Sequence, residues 1–200
     1  MFISNFLSSR LVQILIRNHT IEKSLSEIYQ YSFNYIFEFI FFFLALQTAS
    51  ILLSVPAFAP LFFAVLMPFR SVCGGFHAST RLRCALLSYG CFIITYILYL
   101  LTRSWPDLFW LISFYLVIGT LYVFPAVTHK NRNFSEEQKK RQHKLRHIFC
   151  VIWSLLFCMV YLLNLKFYFH LITICVTIVL VNLLTAVLAT RRKGGYSIDF

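Results

Sequence analysis

The sequence predicts an all-α, polytopic integral membrane protein with about six membrane segments and an N-terminal amphipathic helix lying at the interface. Three observations carry this prediction. Of the 200 residues, 60% are hydrophobic and 12% charged, and the mean hydropathy is +0.75, whereas a water-soluble domain of this size carries about 25% charged residues. The apolar residues gather in long runs, most of them near the ~20 residues a spanning helix needs. The basic residues stand in short clusters between those runs, the pattern that orients a polytopic chain in a bilayer. That placement sets the net charge of +11 apart from the continuous basic face of a nucleic-acid binder.

Taken in order, residues 1–32 form an arm rather than a span. Phe2, Ile3, Phe6, Leu7, Leu11, Ile14 and Leu15, then Ile21, Leu25 and Ile28, recur at three- and four-residue steps, with Arg10, Gln13, Arg17 and Lys23 between them. This periodicity makes one or two helices in the interface plane, packed on the membrane part or offering a face to an amphipathic partner. The N-terminus lacks the basic region, short apolar core and cleavage site of a secretory signal. Residues 33–200 form the membrane part. Phe33–Val55 is long enough to span; Ala57–Phe69 is a short or re-entrant element, or a span continuing into residues 70–84. Ala85–Leu101, Leu108–Phe124, Ile148–Leu163 and Leu171–Ala189 complete the six, and all five prolines are expected at segment edges or breaks.

Alternating sides of this arrangement hold sixteen of the eighteen Lys and Arg against two. The asymmetry places both termini and residues 70–84 in the cytoplasm. The loop 128–147 carries seven of these charges. Within it, Ser135 and Gln138 have capping-box spacing, and Glu136–Lys140 and Glu137–Arg141 are helix-supporting pairs. A basic cytoplasmic helix is expected there, serving topology, anionic lipid or an acidic peptide.

Of the six cysteines, Cys91, Cys150, Cys158 and Cys175 fall inside apolar runs, where a thiol acts as a small hydrophobe. Cys73 and Cys84 belong to the stretch RSVCGGFHASTRLRC (70–84), which also holds Arg70, Gly74, Gly75, His77, Arg81 and Arg83. A thiolate is the attacking form of cysteine and needs a base or a positive field nearby. His77 supplies the base; Arg81, Arg83 and the start of a helix near Cys84 supply the field. On one continuous helix these two side chains would stand ~10.5 Å apart along the axis, so a working pair requires the backbone between them to bend. The glycine pair permits such a bend. The alternatives are a solvated loop histidine beside a cysteine that opens a span, or a metal held by Cys73, His77 and Cys84. The latter lacks an evident fourth ligand, and neither metal nor cofactor is expected. A small transporter or channel component is the rival class, disfavoured because few charges lie inside the spans and no repeated half-sequence is visible.

Arg70, Gly74-Gly75-Phe76-His77-Ala78 and Arg83-Cys84 together resemble the signature of the accessory gene regulator protein B (AgrB) family of quorum-sensing membrane peptidases. The resemblance extends over nearly the whole chain, from the amphipathic arm to the basic loop. It implies a cysteine endopeptidase of the bacterial cell membrane that removes the acidic C-terminal tail of an AgrD-like propeptide. In this reading Cys84 is the nucleophile, His77 the general base, and Arg70 and Gly75 support the site. A thioester acyl-enzyme forms, and an internal cysteine of the peptide closes a thiolactone. The resemblance also makes a homodimer plausible, in which His77 of one chain could meet Cys84 of another.

Overall fold

The computed structural model describes residues 2–73, 81–124, 126–129, 135–193 and 196–199. Seven α-helices account for nearly all of them: α1 (Phe2–Arg17), α2 (Ser26–Leu52), α3 (Phe58–Cys73), α4 (Arg81–Thr102), α5 (Asp107–Val123), α6 (Glu136–Leu162) and α7 (Lys166–Lys193). Four of these are long and apolar enough to cross a membrane, within Lys23–Leu52, Arg83–Thr102, Glu137–Leu162 and Lys166–Leu188. The apolar helices α3 and α5, with 16 and 17 residues, are each about 25 Å long at 1.5 Å per residue, just short of the ~30 Å hydrocarbon core. The fold is thus an α-helical polytopic membrane fold. One small departure is an antiparallel pairing of β1 (Ala126–His129) with β2 (Tyr196–Asp199), both containing the β-branched or aromatic residues that suit a pleated ribbon.

Helix boundaries differ from the hydropathy runs in three informative places. α2 begins at Ser26, so the end of the 1–32 arm already forms the first turns of a long helix. Residues 136–147 and the apolar run after them are one uninterrupted helix, α6, because no glycine or proline interrupts 136–162. Its start is set by the expected capping box: Ser135 Oγ accepts from the Gln138 N–H at 3.3 Å, and Gln138 Oε1 accepts from the Ser135 N–H at 3.0 Å. Pro68 lies inside α3 and not at an edge. A proline there removes one backbone N–H from the helical ladder, yet α3 continues to Cys73 and so carries Arg70. Three helices end on left-handed residues, His19, Ser54 and Asn164. The N–H of each following residue reaches back to Leu15, Ser50 and Val160, the Schellman closure.

The chain divides into two compact units, Met1–Ala59 and Pro60–Phe200. In the first, α1 packs along α2. The buried stripe of α1 is Ser4, Ser8 and Val12, while Ile3, Phe6 and Ile14 are exposed. Small residues at a four-residue interval let helix backbones approach closely where lipid removes any hydrophobic drive between helices.

In the second unit α7 is the hub, packed by α4, α5 and α6, and 61% of its most apolar window is buried. A helix that is apolar all round belongs at such a centre. Phe114 of α5 stacks face to face on Phe157 of α6, with centroids 3.9 Å apart and planes at 2°. Phe169 of α7 meets Phe157 edge-on at 6.2 Å. All three rings are buried, so Phe157→Ala should cost about 3 kcal/mol, measured as a lower midpoint of denaturation in mixed micelles; an unchanged midpoint would remove this cluster from the core. At the other end of α5, Lys166 pairs with Asp107 at 2.9 Å, and the His170 ring stacks on Trp110 at 4.4 Å.

Candidate active site

α3 is built to present Arg70. Phe62, Val65, Leu66, Phe69, Val72 and Cys73 are buried at the three- and four-residue steps of one helical face. Arg70, half-buried next to that stripe, is turned toward α4. Its Nη2 donates to Cys84 Sγ at 3.2 Å, and its Nη1 reaches Ser88 Oγ at 3.5 Å. Ser88 stands one turn after Cys84 and donates its hydroxyl proton to the Cys84 carbonyl at 3.1 Å. This leaves the serine oxygen's lone pairs for the guanidinium. A planar cation with donors in a fixed fork is therefore held against a half-buried sulfur. A charge-assisted hydrogen bond of this kind strengthens as the sulfur becomes negative.

The sequence-derived candidates separate accordingly. Arg70 and Cys84 come together across two helices. Arg83 is exposed in the first described turn of α4. Arg81 heads that helix, and its side chain lies outside the described residues. Gly75 and His77, with Gly74, also lie outside the described residues. Cys73 is fully buried at the end of α3. Burial pushes its thiol up to about 12, against an opposing pull from Arg146, so it stays protonated and a poor nucleophile.

Two residues escaped the sequence reading. Ser88 had one available signal, its four-residue spacing from Cys84. Arg146 had none, being one charge among seven in its loop. In the structure Arg146 is 1% exposed, and its Nη1 donates to the Phe124 carbonyl. His147 beside it stacks on Tyr122 at 3.9 Å, with Nε2 3.2 Å from the Tyr122 carbonyl oxygen. Together they satisfy carbonyls at the C-terminal end of α5, which the helix leaves unpaired. Thiol labelling of the intact chain with a membrane-permeant maleimide should modify Cys84 and spare Cys73 and Cys175, both fully buried; peptide mapping reads the outcome, and early modification of Cys73 would contradict the packing at the end of α3.

Comparison with known proteins bears on the whole of this arrangement. No curated protein and no solved structure gives a significant match. Residues 8–185 match the model of the accessory gene regulator B family, a span that includes α3, α4 and the contact between Arg70 and Cys84. This membrane-embedded chain belongs to the accessory gene regulator B family, whose role lies in quorum-sensing peptide processing.

Proposed function

We propose that the chain is a membrane cysteine endopeptidase that cuts the C-terminal tail from an AgrD-like propeptide and promotes closure of the remaining peptide into a thiolactone. The observation that carries this reading is the guanidinium of Arg70 on the sulfur of Cys84 within the family's matched span. Cys84 attacks the scissile carbonyl as a thiolate, and the peptide C–N bond breaks as the tetrahedral intermediate collapses. The tail leaves as an amine that takes its proton from His77, which had received the thiol's proton. The thioester left on Cys84 is then exchanged for one on the substrate's own cysteine, releasing the enzyme's thiolate. Because one thioester replaces another, the step is near balance, provided water is kept from the acyl-enzyme. Arg70 favours the charged sulfur at the start and at release. Gly75 matches a motif position that supports the site.

The same reading places both termini and the motif on the cytoplasmic side, where sixteen of the eighteen Lys and Arg lie. Co-expression with an AgrD-type propeptide tests it: mass spectrometry should find a tail-less peptide lighter by one water than its linear form, as a thioester ring requires. Intact propeptide alone, in membranes containing normal amounts of the chain, would exclude the proposed activity.

A further inference from the structure

Arg146 is the largest fully buried side chain among the described residues. Only one of its three nitrogens is accounted for, Nη1 on the Phe124 carbonyl. Nε and Nη2 are both buried with no hydrogen-bond partner among the described residues. These two nitrogens share one edge of the guanidinium, and their N–H groups point outward in parallel as the fork that takes both oxygens of a carboxylate. Burying a cation is costly unless it is paired and its donors are met, and the described residues offer no counter-ion. The chain has seven carboxylate side chains in all; Asp107 is engaged with Lys166, and no described residue forms an ion pair with Arg146. Its electrostatic neighbours include the thiols of Cys73 and Cys150, which supply no anion while protonated.

The location gives the unpartnered fork a use. Cys73 closes α3 three residues after Arg70, a rise of about 4.5 Å, and Arg70 holds Cys84. The fork therefore lies beside the C-terminal end of α5, with the Cys73 thiol, on the helix that carries Arg70, among its electrostatic neighbours. We infer that Arg146 is the anchor for a carboxylate of the peptide substrate, received side-on by Nε and Nη2 while Nη1 remains on Phe124. This rests on the peptidase reading above for the identity of the ligand. It adds that the substrate is recognised through a negative charge at a defined residue, distinct from the general attraction of the basic loop.

The experiment measures binding apart from chemistry. The full-length chain carrying Cys84→Ala, in vesicles of phosphatidylcholine and phosphatidylglycerol at 3:1, is titrated with two AgrD-type propeptides. One is unmodified; in the other every Asp and Glu beyond the cleavage point is Asn or Gln and the terminal carboxylate is amidated. The neutralised peptide should bind at least about tenfold more weakly, the scale of one charge-assisted bidentate contact. In Arg146→Gln the two peptides should bind within about twofold of each other. Arg146→Lys, which keeps a cation and a donor for Phe124 but has no fork, should fall between.

Equal binding of both peptides to the chain that keeps Arg146 overturns the inference, and that comparison needs no Arg146 variant to fold. So does an undiminished preference in Arg146→Gln, or a variant whose only change is its dependence on the anionic lipid, which would assign the fork to a headgroup phosphate. Cleavage of the unmodified peptide by the Cys84 chain is scored separately. Charge-selective binding without cleavage would sink the peptidase reading and leave the carboxylate site standing; cleavage without charge selectivity would do the reverse.

Discussion

Cys84→Ala is expected to abolish release of the propeptide tail, by about 10⁴-fold or more, while the amount of chain inserted in the membrane stays the same. The loss is large because no second thiol can substitute. Cys73, Cys150 and Cys175 are buried, and Cys158 is exposed on α6, in a stretch long and apolar enough to cross a membrane. Cys91 lies two turns further along α4, about 10.5 Å from Cys84 along the helix axis. Insertion is spared because Cys84 is only half-buried, and alanine is the best helix former available for the first described turn of α4. Co-expression with the propeptide, an immunoblot of the membrane fraction and mass spectrometry of the peptide measure both quantities. Tail release within tenfold of the unaltered chain would show that the sulfur is not the nucleophile.

Arg70→Leu is expected to slow tail release by about 10- to 100-fold. Leucine fills much of the same volume but removes the donors to Cys84 Sγ and Ser88 Oγ. A hydrogen bond to a charged partner is worth about 1.5–3 kcal/mol, and each 1.36 kcal/mol is tenfold in rate. Arg70→Lys should recover part of the loss. Its point charge favours a negative sulfur, but one ammonium on a flexible stem cannot hold the sulfur and the serine oxygen in a fixed geometry. Alkylation of Cys84 by iodoacetamide at one fixed pH offers a readout independent of the substrate and should slow in the same order. Normal alkylation combined with lost cleavage would place Arg70 on the substrate instead of on the thiol.

The six apolar segments and the Ser135–Gln138 capping box were legible in the sequence because each is local. A run of apolar residues and a four-residue cap need no knowledge of what lies opposite. The helix lengths were less legible, since hydropathy marks the part of a helix that dislikes water. The polar turns before Ile148 in α6 and before Phe33 in α2 are equally helical. At the site, Arg81 and Arg83 drew attention by proximity in sequence to Cys84, yet Arg83 is exposed and the guanidinium on the sulfur comes from Arg70, fourteen residues earlier. That contact depends on α3 running past Pro68, which no local rule of helix termination predicts. Arg146 is the extreme case. It sits in a polar stretch with Lys144 and His147, yet beside the end of α5 it is 1% exposed.

The central position of α7 has a consequence for how the protein is made. The helices that pack on it are synthesised first, so α4, α5 and α6 leave the translocon before their common neighbour exists. Until α7 emerges from the ribosome, their inward faces have only lipid or one another to rest against. Assembly of the second unit is therefore completed only once α7 has joined them, and the order of insertion differs from the order of packing.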